Sequence, residues 1–282
     1  MKYVNKFDTA TQAIAATGLV APQVVYVQDE TKVLYSGNMD DNTDVCIRRD
    51  NNQLVIKKFY KGLKMTSTGN STVALAQQGS APTVDLKYSL DDGKTWTQWD
   101  FSAISLNDGD SVCFKGQNTA FGTSLDKYNK FVMTGSIAAS GNIMSIIDDG
   151  ACNTTTIPSD YCFCSLFYGC RALTAPPELP ATTLRWGCYA QMFDSCQLLT
   201  AGPELPATTL VGQCYRQMFT DCYSIKYIKC LATSIYNDLY TWSWVSGPCG
   251  SVIGTFVKAA NATGWTTGVS GIPSGWTVQD AA

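Results

Sequence analysis

The side chains that carry most enzyme chemistry are scarce here. Histidine is absent from all 282 residues, which removes the commonest general base and the commonest zinc ligand. No G-x-S-x-G elbow, phosphate-cradling glycine loop or H-E-x-x-H motif occurs. A zinc site would have to be all thiolate, and Cys162-Phe163-Cys164 lacks the C-x2-C spacing of structural zinc. Glu178 and Glu204 are equivalents in two copies of one repeat, which makes them an exposed ladder and not a glycosidase pair. A turn explains Asp91-Asp92 without calcium. The reading is a non-enzyme with no catalytic residue, no metal and no cofactor.

Binding chemistry is better represented. Flat aromatic rings beside polar groups suit the apolar faces and hydroxyls of sugars. The candidates are Arg185, Trp186, Tyr189, Arg216, Tyr240, Trp242 and Trp244. Packing competes with binding at Tyr189 and at the three aromatics of the tail. Trp186 is the freer of them, because its repeat equivalent is Gly212.

A repeat must position these residues. Cys162, Cys188 and Cys214 are 26 apart, as are Phe167, Phe193 and Phe219, and Cys170, Cys196 and Cys222. Leu173, Leu199 and Ile225 follow the same step, and the stretch Pro177 to Leu184 returns almost unchanged as Pro203 to Leu210. A fixed period in the twenties signals stacked coils. One coil cannot bury its apolar stripe alone, so neighbours must stack. Cys188, Met192 and Cys196, four apart, predict a short helix in each coil. Pro180 and Pro206 force an extended path, and Thr182-Thr183-Leu184 reads as a strand. The clustered cysteines read as small buried hydrophobes and not as disulfides.

Residues 1–38 read as a small β-α-β module, with a strand over Lys2 to Phe7 and a helix over Ala10 to Ala16. The hairpin strands Val24 to Val27 and Lys32 to Tyr35 follow. Residues 39–147 alternate apolar and polar around turn clusters such as Asp91-Asp92-Gly93 and Asn107-Asp108-Gly109-Asp110, which predicts an immunoglobulin-like β-sandwich. The repeats occupy 148–232, and 233–282 form a β-rich cap. The predicted class is mixed α+β: module, sandwich, leucine-rich-repeat solenoid, cap. The charge of −3 lacks the basic stripe of a nucleic-acid binder. No apolar run is long enough for membrane insertion. Met1 to Phe7 has no apolar core of a secretory signal, so synthesis and folding are expected in a reducing cytoplasm.

The pattern P-x-L-P-A-T-T-L-x-x-x-C-Y-x-x-M-F-x-x-C-x-x-L, from Pro177 to Leu199, resembles the BspA-like leucine-rich repeats of gut Bacteroidetes and their phages. Ser140 to Ser145, Ile228 to Thr233 and Gly271 to Val278 are similar to segments flanking that group's repeats. Tyr88 to Trp96 resembles a hairpin of immunoglobulin-like domains in bacterial surface and phage proteins. Met1 to Phe7 with Val24 to Val27 resembles the opening module of fibre-like proteins of Bacteroidetes phages, crAss-like phages among them. The resemblance implies a virion protein, a head or tail fibre or capsid decoration, assembled in the host cytoplasm. It implies capsid or tail proteins as partners through residues 1–38, a homo-oligomer with a trimer favoured, and adhesion to host or mucosal glycans. The alternatives are a bacterial cell-surface adhesin and a capsid stabiliser without ligand.

Overall fold

The computed structural model describes residues 60–281 apart from 236–238 and 248–252, and the backbone of strands in 3–4, 34–37, 43–50 and 53–59. Contacts divide the chain into Met1–Lys61 and Gly62–Ala282.

In the first unit, β1 (Tyr3–Val4), β2 (Leu34–Gly37), β3 (Thr43–Asp50) and β4 (Gln53–Tyr60) form an antiparallel sheet in the order β1-β4-β3-β2. Antiparallel pairing of β3 with β4 runs to the Asp50↔Gln53 register; the predicted turn at Asn51-Asn52 lies outside the described residues. Sequence reading gave this hairpin to the sandwich, whereas contacts group it with the amino-terminal strands. The predicted helix over Ala10 to Ala16 and the strand Val24 to Val27 lie outside the described residues.

The second unit opens with β5 (Lys64–Ser67), β6 (Ser71–Gln78), β7 (Lys87–Ser89), β8 (Thr97–Gln98), β9 (Ile104–Leu106) and β10 (Ser111–Lys115). Then come β11 (Gly122–Ser124), β12 (Lys127–Thr134), β13 (Ile137–Ser140) and, after the first coil, β14 (Leu173–Ala175). One sheet runs β14-β13-β5-β10-β7-β8 and the other β11-β12-β6-β9. Side chains alternate across each strand, so every second residue points inward. Phe114 of β10 meets Phe131 of β12 at 5.5 Å between centroids, with Trp99 5.0 Å from Phe114. In the β7–β8 hairpin the Asp91 carboxylate accepts bonds from Ser89, Lys94 and Thr95, which hold its pKa down at about 2. That network organises a turn, as expected for Asp91-Asp92-Gly93.

The coils correct the predicted class. Among the described residues there is no α-helix, and a 3-10 turn at Ile143–Ile146 is the helical element. The mixed α+β fold with a leucine-rich-repeat solenoid therefore gives way to an almost wholly β architecture whose coils are runs of tight turns. In the coil from 187 to 196, even-numbered N–H groups bond back three residues, Ala190 to Gly187 O at 3.0 Å and Met192 to Tyr189 O at 3.2 Å. Odd-numbered ones leave the coil for the next: Tyr189 to Cys214 O at 3.0 Å, Gln191 to Arg216 O at 2.8 Å, Phe193 to Met218 O at 3.0 Å. Every fourth residue is left-handed, at φ +58° for Gly187, +54° for Gln191 and +63° for Ser195. Gln213, Gln217 and Asp221 repeat this at +57°, +53° and +55°. No α-helix tolerates that pattern. Cys188, Met192 and Cys196 do face inward, as predicted, because a four-residue turn also brings every fourth side chain to one face. The predicted strand Thr182 to Leu184 is reduced to a bridge between Thr156 and Thr183, although Leu184 is buried as expected.

A left-handed non-glycine residue costs about 1–2 kcal/mol, and each inter-coil bond returns about 0.5–1.5 kcal/mol. This yields a test at Ser243, left-handed at φ +54°. Ser243→Gly is expected to be more stable than Ser243→Ala by about 1 kcal/mol in urea unfolding. An α-helix would give the opposite order by a similar margin.

On the segments that link and follow the coils, β15 (Glu204–Leu205), β16 (Tyr227–Cys230), β17 (Thr255–Lys258) and β18 (Thr277–Asp280) pair in parallel. At the other end the sandwich acts as a preceding coil. Phe121 and Phe131 N–H donate to Cys162 and Leu166 carbonyls at 2.7 and 2.8 Å, and β13 pairs with β14.

Candidate functional site

The interior fixes what remains outside. One column of rings runs Phe131, Phe167, Phe193, Phe219 at 5.3, 5.5 and 5.9 Å, the last pair 3° from parallel. A second runs Phe121, Phe163, Tyr189, Tyr215 at 6.1, 5.8 and 6.2 Å. Both end on Trp244, 6.3 Å from Tyr215 and 5.9 Å from Phe219. Tyr189 and Trp244 are thus core residues, buried away from any ligand, which corrects their assignment as contacts. Tyr240 is half-buried against the same core.

The thiols belong to this interior too. No disulfide joins the described cysteines. Cys170, Cys196 and Cys222 donate to the carbonyls of Phe131, Phe167 and Phe193 at 3.1, 3.2 and 3.0 Å. Burial pushes the Cys170 and Cys188 thiols up to about 12, so they stay protonated and unreactive. Among the described residues no cluster of three or more His, Cys, Asp or Glu is placed to hold a metal ion.

Outside, two indoles stand clear of the stack. Trp186 is 41% exposed and lies across Gly212, where an added Cβ would come 2.1 Å from the ring. Its indole N–H donates to the Tyr161 hydroxyl at 3.2 Å and its backbone N–H to the Asp160 carboxylate, with Arg185 exposed beside it. The requirement at position 212 is therefore for a bare Cα under an indole. Trp242 is 48% exposed, with the Arg216 guanidinium 4.3 Å above its ring. These two are repeat equivalents, 26 apart, so stacking in register makes the cation–π pair.

Glutamines that sequence reasoning passed over complete the strip. Arg216 donates to the side-chain oxygens of Gln213 and Gln217 at 3.4 Å each. Gln191 donates to Gln217 at 3.2 Å, and Ser165 to Gln191 at 3.3 Å, one rung per coil. The available signal was the 26-residue step from Ser165 to Gln191 to Gln217.

On another face, Pro177, Glu178, Pro180, Pro203, Glu204 and Pro206 line an open groove of about 420 Å³. Glu204 is engaged by Lys229 at 3.0 Å.

Fold and site together define a turn-coil solenoid, closed at one end by a β-sandwich, with an outer strip of indoles, guanidinium and amides. Comparison with protein-family models, curated proteins and solved structures finds no match for the chain.

Proposed function

We propose that the chain is a non-enzymatic display scaffold, a virion fibre or capsid decoration, whose coil surface adheres to host or mucosal glycans. The observation that carries the adhesive part is the exposure of Trp186 and Trp242 on coils whose interior is already filled by their own ring columns. Exposed indoles beside fixed polar groups suit the apolar faces and hydroxyls of sugars. The virion part rests on the likeness of the repeats and the opening segment to Bacteroidetes phage proteins. In this reading residues 1–38 anchor the chain to capsid or tail proteins as a homo-oligomer, favourably a trimer. No helix among the described residues is long and apolar enough to cross a membrane.

A glycan array with wild type, Trp186→Ala and Trp242→Ala tests the adhesive reading. Each variant is expected to lose tenfold or more in apparent affinity for the glycans that wild type retains, about 1.4 kcal/mol. No wild-type signal above a denatured control would leave a capsid stabiliser in its place. Mass spectrometry of purified virions tests the location. Absence from particles, with a lipoprotein signal encoded upstream, would instead identify a bacterial surface adhesin.

A further inference from the structure

The geometry points to a carboxylated sugar, of the uronic or sialic acid class, as the ligand of the strip around Arg216, a refinement that rests on the glycan-display reading. The argument begins with hydrogen-bond polarity. A guanidinium only donates, so Gln213 and Gln217 must turn their carbonyl oxygens toward Arg216. Their amide nitrogens then face away from it. The same direction runs along the ladder, since Ser165 donates to Gln191 and Gln191 to Gln217. The acceptors are consumed inside the network. Gln213 Nε2, Gln217 Nε2 and the outer edge of the Arg216 guanidinium have no acceptor among the described residues, leaving a donor-only patch.

Charge agrees with polarity. Lys64, Lys115, Lys229 and Lys258 each hold a carboxylate within 4 Å. No described carboxylate lies that close to Arg216. Its guanidinium instead lies over the Trp242 ring at 4.3 Å and donates to two amides of its own coil. A cation pre-ordered by neutral groups, with donors beside it, is complementary to a planar carboxylate. The exposed part of the Trp242 ring supplies an apolar platform next to it for the C–H face of the sugar that carries the carboxylate. A neutral sugar would leave these donors without a charged acceptor.

Isothermal titration of the full chain with 3′-sialyllactose, an oligoglucuronate and lactose tests this. At least one acidic sugar is expected to bind tenfold or more tightly than lactose, with affinity falling as salt rises. Gln217→Glu places a carboxylate against Arg216, and Arg216→Lys removes the planar fork. Each is expected to cut acidic-sugar affinity at least tenfold and leave lactose within twofold. Should Arg216→Lys fail to fold, Gln217→Glu at the half-buried surface decides. Equal binding of lactose and both acidic sugars, or no change in Gln217→Glu, would overturn the carboxylate proposal while glycan display stands. No binding of any sugar, here and on the array, would overturn both.

Discussion

Alanine at Phe193 is expected to cost the Gly62–Ala282 unit about 3–5 kcal/mol, the usual range for deleting a buried phenyl ring. Phe193 sits between Phe167 at 5.5 Å and Phe219 at 5.9 Å, so the cavity strips one face from each neighbour. Its N–H donates to the Met218 carbonyl of the next coil, and the flanking Met192 and Asp194 carbonyls accept from Phe167 and Gly169 of the preceding one, so the backbone cannot collapse to refill the space. All seven tryptophans lie beyond residue 61, so indole fluorescence during urea unfolding reports this unit alone. Because Phe131 of the sandwich begins the same column, sandwich and coils are expected to lose stability in one transition. The paired Phe167→Ala/Phe193→Ala variant should depart from additivity, since the rings touch. A loss below 1 kcal/mol would mean that the columns do not carry the stack.

How far the sequence revealed this follows from what a period can encode. Cys162, Cys188 and Cys214, with the phenylalanines beside them, recur at one spacing, and equal spacing in a stack forces register. The inward residues were therefore legible before any backbone was known. The backbone between them was not. Residues four apart drift by only 40° per step on an α-helix, since 3.6 residues make a turn. Over Cys188, Met192 and Cys196 that drift stays within one apolar face, so helix and turn run share the pattern. The clue lay at other positions, where Gly169, Gly187 and Gly247 share the left-handed columns with Ser, Gln and Asp. Arg216 and Trp242 were legible as chemical types but not as a pair. The coil that carries Trp242, Tyr240 to Trp244, has no cysteine or phenylalanine to announce its register. The glutamines were illegible because an amide's role is set by its neighbours, and those neighbours are 26 residues away.

Trp244→Ala provides the second large effect and separates the two roles sequence allowed for this residue. The indole closes both ring columns, stacks on Trp265 at 5.5 Å and donates to the Gly271 carbonyl at 2.7 Å. Truncation is expected to cost about 3–5 kcal/mol for the cavity, with about 1–3 kcal/mol more from the orphaned carbonyl. Trp244→Phe, which keeps a ring but not the donor, should lose roughly the second amount alone. The damage should also be directional. In a stack where each coil leans on the next, losing the closing ring frees the last coil first. Native-state alkylation followed by peptide mapping is then expected to find Cys222 and Cys230 labelled well before Cys162 and Cys170, which lie against the sandwich. In wild type all four stay buried and unreactive. If Trp244 were instead a ligand contact on a self-sufficient fold, glycan binding would fall with urea stability and thiol protection unchanged. That outcome would remove the closing role assigned to it.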